Sequence, residues 1–200
     1  YTLSGKFNIG KALQCCADNV SDENSILLIT DADVCFPENC WDYLINSFNN
    51  VLIKNKIFID CLVAKESPDG EIIPSVDRPA GGLLIIYNSD FKDTGGFNDS
   101  PYIKERGNYW GGHDLYYQTL FLSCGLKMAR PINNIIYFRH HERPISIEWY
   151  TPVEQRSENN RNHYMGPVPW YLNKDFITYI ESGIKYIELD SRFINKYKKI

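Results

Sequence analysis

The chain has no run of about 18 consecutive apolar residues, so no segment is expected to span a membrane as a helix. No basic stripe precedes the final KYKK and the net charge is -4, which argues against nucleic acid as the partner. Among six Cys there is no C-x-x-C pair, and adjacent Cys15 and Cys16 suit neither a mutual disulfide nor a zinc knuckle. The cysteines are expected to be reduced, small buried residues. Tyr1 is preceded by neither Met nor a signal-like segment, as in a fragment or a processed form. Internal repeats and low-complexity stretches are missing as well.

What is present suffices for a core. Hydrophobic residues are 44% of the 200, which suits one globular domain with an appended tail. Aromatics reach 14%, with 14 Tyr and 4 Trp. They serve either an aromatic core or a site that stacks on flat ligands, and composition leaves both open.

Periodicity predicts alternating elements. In NIGKALQCCADNV, residues Ile9, Ala12, Leu13, Cys16 and Ala17 share one helical face. SILLIT reads as a short apolar strand. Pro37 suits the first turn of a helix whose stripe is Trp41, Leu44, Ile45 and Phe48. KIFIDCLVA and GGLLIIYN read as strands. KESPDGEIIPSVDRPA, with three Pro, reads as a loop, and DFKDTGGFNDSPYIKERGNYWGG mostly so. A helix is expected from Asp114 to Cys124, stopped by Gly125. NNIIYFRHH reads as a late strand and NKDFITYIESG as a short helix ending at Gly183. Strands alternating with helices indicate a layered α/β domain.

The stretch LLITDADVCFP runs four apolar residues into Asp31 and Asp33. Residues i and i+2 of an extended strand end share a face, so the two acids can converge where the strand leaves the sheet. Open α/β sheets bind ligands outside the carboxyl ends of their strands. Carboxylates about 5–7 Å apart repel unless a cation joins them, and hard oxygen ligands suit Mg²⁺ or Mn²⁺. Such a metal in turn attracts a diphosphate. Standing alone, Asp31 serves equally as a turn or cap residue and Asp33 as a surface acid. The P-loop reading of an acidic strand end requires G-x-x-x-x-G-K-[ST], which is missing, as is the glycine-rich loop of a nucleotidyltransferase.

Two further clusters bear on the same chemistry. In GNYWGGHDLYYQTLF, Trp110, Gly111 and Gly112 precede His113 and Asp114 at the start of an apolar helix. The glycines let backbone approach a ligand. Asp114 can cap the helix, with an oxygen turned to the backbone, or act as a general base, with an oxygen turned to a cleft. In YFRHHERP, His140 and His141 are adjacent at a strand end, so at most one faces a site. Imidazole suits Mn²⁺ better than Mg²⁺. A surface histidine pair is the plain alternative, and His163 is read as a surface residue.

Taken together, FNIGKALQ, ILLITDADVCFP, RPAGGLLIIYNSDFKDTGGFNDS, YWGGHDLYYQTLFLSCGLKMARP and IIYFRHHER resemble the GT-A glycosyltransferases. The likeness is to the β-1,4-galactosyltransferases and the related N-acetylgalactosaminyl- and chondroitin-type transferases, over about Phe7 to Arg143. It implies a mixed sheet flanked by helices, with a core over 1–145 and an extension over 146–200 on the core or acceptor side. It also implies a UDP-sugar donor, a glycan acceptor and inverting, Mn²⁺- or Mg²⁺-dependent transfer.

The resemblance implies that Asp33 ligates the metal and that Asp31 contacts ribose or metal, with Ala32 between them beside the donor. Arg78, Gly81 and Gly82 of RPAGG would lie along the donor. Trp110, Gly111 and Gly112 would flank donor sugar and acceptor, Asp114 would be the catalytic base, and His140 a metal ligand. His113 stands where the family has a Glu that contacts the acceptor, and Tyr137 where the galactosyltransferases have a Met. The opening strands that hold the uracil base would precede Phe7, so either part of the nucleotide-binding half is missing here or base recognition is built differently. A retaining transferase of the same fold, or a non-catalytic sugar- or partner-binding module, stays open. So do the donor sugar, the acceptor, the compartment and the oligomeric state.

Overall fold

A computed structural model describes residues 9–31, 33–42, 44, 56–74, 82–97, 113–132, 136–138 and 174–197. Helix α1 spans Ile9–Asp18. Gly10, Gln14 and Ala17 form its buried face, whereas Cys16 is exposed. The expected apolar stripe is therefore rotated. Gln14 is drawn inward because its Oε1 accepts a hydrogen bond from the Phe97 N–H at 2.6 Å.

Strands β1 (Ile26–Thr30), β3 (Ile57–Leu62) and β6 (Gly82–Tyr87) lie where the apolar runs predict them. They join β7 (Lys127–Pro131), β9 (Phe176–Glu181) and β10 (Ile184–Leu189) in a six-stranded sheet ordered β1-β6-β3-β7-β10-β9. Among the described residues of this sheet, β3 and β7 are the one parallel pair. A second sheet, ordered β2-β8-β4-β5, contains β2 (Val34–Cys35), β4 (Ala64–Glu66), β5 (Ile72–Ile73) and β8 (Tyr137–Phe138). The architecture is mixed α/β.

Two apolar layers cover the main sheet. On one face Phe58, Leu84, Ile86 and Met128 pack with Ala17 of α1, Phe91 of α2 (Asn88–Asp93) and Phe121 of α3 (His113–Ser123). On the other face Ile59, Cys61, Leu83, Ile85 and Ala129 pack with Val34, Cys40, Leu44 and Ile136. The alternation along β3 sends Phe58 and Asp60 to the helix side, and Ile59 and Cys61 to the small-sheet side.

Four local expectations change. The loop after β3 contains a hairpin, β4–β5, closed where the Gly70 N–H donates to the Ser67 carbonyl at 3.0 Å. The segment after β6 continues at once into α2. FITYIESG forms strand β9 and the turn into β10, not a helix. Its Ser182 and Gly183 have φ of 51° and 76°, the positive pair that a two-residue type I′ hairpin turn demands. Finally, of the stripe expected after Pro37, Leu44 is buried and Cys40 joins it, Trp41 is 47% exposed and stacks on Phe36 at 5.2 Å, and Ile45 and Phe48 lie outside the described residues.

All six cysteines are free, but only Cys40 and Cys61 are buried. Burial, followed by the Asp60 charge and by Cys40, pushes the Cys61 thiol far above its usual range, against an opposing pull from Arg130. No helix among the described residues is long and apolar enough to cross a membrane.

Candidate active site

The strand registers bring one end of the main sheet into focus. Thr30, the last residue of β1, pairs with Leu83, so Asp31 leaves the sheet beside Gly82, where β6 begins. Gly82 in turn pairs with Leu62, the last residue of β3. Because β7 runs parallel to β3, its final residue Pro131 lies toward the same end. The carboxyl ends of three strands and the start of a fourth thus share one edge.

Helix α3 points its amino end at that edge. Phe121 packs against Phe58 with ring centroids 5.2 Å apart. One turn earlier, the Tyr117 hydroxyl donates to Asp60 Oδ1 at 3.4 Å. The helix therefore runs antiparallel to β3, and His113 and Asp114 open it at the edge where Asp31 and Gly82 emerge. The backbone here is described, whereas the side chains of residues 113–116 lie outside the described residues. The other helix end is set by Gly125, at φ +86°. There the Gly125 N–H donates to the Leu122 carbonyl at 3.1 Å and the Leu126 N–H to the Phe121 carbonyl at 3.0 Å, the paired bonds of a Schellman stop.

Asp31 and Asp33 occupy the corner between the two sheets. Asp31 follows β1 and Asp33 precedes β2, and both are half-buried. The Val34 N–H donates to the Asp31 carbonyl at 3.3 Å, which turns the chain between the acids. In the small sheet Val34 pairs with Phe138, which sets the end of β8 against the start of β2. Carboxylates are hard oxygen donors of the kind that suit Mg²⁺ or Mn²⁺, and two alone would not complete such an ion's shell. Among the described residues, no group of three or more His, Cys, Asp or Glu is placed to hold a metal. Ala32, Arg78, Gly81, Trp110, Gly111, Gly112, His140 and His141 lie outside the described residues.

Beneath this edge sits a polar cluster that sequence reasoning missed. Asp60 and Arg130 are 0% and 1% exposed. Arg130 Nη2 pairs with Asp60 Oδ2, and Arg130 Nε donates to the Asp60 carbonyl at 3.2 Å. The available signal was one acid, Asp60, inside the apolar run of IFIDCL and one base, Arg130, inside KMARP, past the Lys127 that opens that strand. Charges are rarely buried unless paired, so two such interruptions ask for each other.

Over 166 residues, covering 80% of it, this chain is 28% identical to the mouse (Mus musculus) N-acetyl-beta-glucosaminyl-glycoprotein 4-beta-N-acetylgalactosaminyltransferase 1. The match spans 15% of that protein's length. The similarity supports a glycosyltransferase relationship at the level of family. No protein-family profile and no solved structure matches the chain.

Proposed function

We propose that this chain carries the catalytic core of a metal-dependent, inverting glycosyltransferase of GT-A type, which moves a sugar from a UDP-sugar to a glycan hydroxyl. The observation that carries this reading is the shared edge. Asp31, Gly82 and the amino end of α3 meet at the carboxyl ends of the strands, where open α/β sheets bind ligands. The likeness to a transferase supports the same chemistry.

In this reading Asp33 and His140, with Asp31, hold Mn²⁺ or Mg²⁺. When bound, the metal supplies charge neutralisation for the departing diphosphate. Arg78, Ala32, Gly81 and Gly82 line the donor. Trp110 and Gly111 flank the donor sugar, and Trp110, Gly112 and His113 meet the acceptor. Asp114 takes the proton of the acceptor hydroxyl as its oxygen bonds to the anomeric carbon. The bond from that carbon to the diphosphate breaks, UDP leaves, and the anomeric configuration inverts. The mouse relative's name refers to N-acetylgalactosaminyl transfer to an N-acetyl-beta-glucosaminyl glycoprotein. UDP-N-acetylgalactosamine is therefore the first donor to try here.

The test is calorimetry of UDP with and without Mn²⁺, on the native chain and on Asp33→Ala, followed by a screen of UDP-sugars for Mn²⁺-dependent transfer or hydrolysis. Binding that requires Mn²⁺ and vanishes in a folded Asp33→Ala protein is expected. Equal UDP affinity with and without the metal would remove the metal site.

A further inference from the structure

We infer that Tyr117, set on the buried Asp60–Arg130 pair, is a positioning residue for Asp114; this rests on the transferase reading above. Besides its packing against Met128 and Ile187, helix α3 makes two contacts with β3 that differ in kind. The contact of Phe121 with Phe58 is apolar and non-directional, so by itself it permits the helix to slide or roll. The contact of the Tyr117 hydroxyl with Asp60 is directional. It lies one turn from Asp114, about 5 Å along the helix axis.

The carboxylate is itself immobilised. Arg130 holds Asp60 through both its carboxylate and its main-chain oxygen, which leaves Oδ1 toward Tyr117. Stability is a poor reason for such a pair, since apolar residues of similar volume serve a core as well or better. Its position supplies a better one. Both charges stand on the helix side of the sheet, toward the edge where the ligands would bind, and Asp60 meets α3 at Tyr117, one turn in from its amino end. There a directional contact sets the height and roll of that turn, and a base misplaced by about 1 Å loses up to a hundredfold in rate.

Tyr117→Phe tests this, because it keeps the ring that packs on Phe97 and Phe121 and removes only the hydroxyl. Melting and Mn²⁺-dependent UDP affinity should stay near native, and kcat should fall about tenfold to a hundredfold with donor KM little changed. Amide exchange should quicken over residues 113–117 and stay unchanged over 120–124. In an Asp114→Asn background, Tyr117→Phe should lower the residual rate no further. Native kcat and native exchange in Tyr117→Phe, beside a crippled Asp114→Asn protein, would overturn this inference alone. An equal fractional loss in both backgrounds, or a joint loss of melting temperature and UDP affinity, would overturn it too. Near-native turnover by Asp114→Asn would remove Asp114 as the base, and this inference with it, whereas a native chain with neither Mn²⁺-dependent UDP binding nor transfer would overturn the transferase reading itself.

Discussion

Val34 pairs directly with Phe138 across the small sheet. Asp33 is the residue just before the first strand, and His140 follows the second partner by two positions in the sequence. That pairing motivates a comparison of the two histidines. His140→Ala is expected to weaken Mn²⁺ binding at least about tenfold, while His141→Ala leaves it nearly unchanged, since adjacent residues in extended backbone would face opposite ways. Calorimetric titration of Mn²⁺ in the presence of UDP distinguishes them. Equal losses, or a loss only at His141, would reverse the assignment.

Asp114→Asn separates a cap from a base. Asn caps a helix about as well as Asp but takes no proton. The variant should melt near the native temperature, retain UDP–Mn²⁺ binding and lose at least about a hundredfold in transfer. The product anomer of the native enzyme should be inverted. Near-native turnover would leave Asp114 as a helix cap, and a retained anomer would remove it as base.

The buried ion pair predicts an asymmetry in stability. Asp60→Asn leaves the Arg130 charge uncompensated and should cost about 3–5 kcal/mol in urea unfolding. Asp60→Leu combined with Arg130→Met should recover most of that loss, because both desolvated charges go together. If the double variant is no more stable than Asp60→Asn, something other than charge pairing sets the cost.

Gly96 is a third pressure point. Its φ is +57°, and a Cβ added there would stand 2.5 Å from Gln14 Oε1 and 2.7 Å from the Phe91 ring. Gln14 cannot yield freely, since that same oxygen accepts the Phe97 N–H. Gly96→Ala should therefore destabilise by about 2–3 kcal/mol, as backbone strain and steric overlap combine. A change in midpoint below about 0.5 kcal/mol would mean that the α1–α2 contact adapts.

Local signals were read well wherever the deciding interactions are themselves local. An apolar run ended by two acids located β1 and the corner after it, because burial and solvation change within a few residues. Gly125 ended α3 because a left-handed residue is cheap only for glycine. The misreading of FITYIESG has an equally physical cause. Phe176, Ile177 and Ile180 match a helical stripe, yet Ile, Thr and Tyr also favour strands, and Gly after Ser serves a helix stop and a hairpin turn alike. Pairing of β9 with β10, and of β10 with β7, resolved the ambiguity. Residues 176–189 thereby extend the main sheet.

By itself the sequence determined the α/β alternation, the acidic strand end, the glycine stop after Cys124 and the resemblance that named Asp31, Asp33, Asp114 and His140. Each depends on neighbours within a few positions, or on the order of short motifs along the chain. Only the tertiary structure decided which ends meet. Asp31 emerges beside Gly82, Tyr117 reaches Asp60 across 57 positions, and Arg130 reaches it across 70. Those contacts follow from strand register and helix direction. Both are set by the packing of the whole sheet, where a slip of one residue would turn Asp60 to the opposite face.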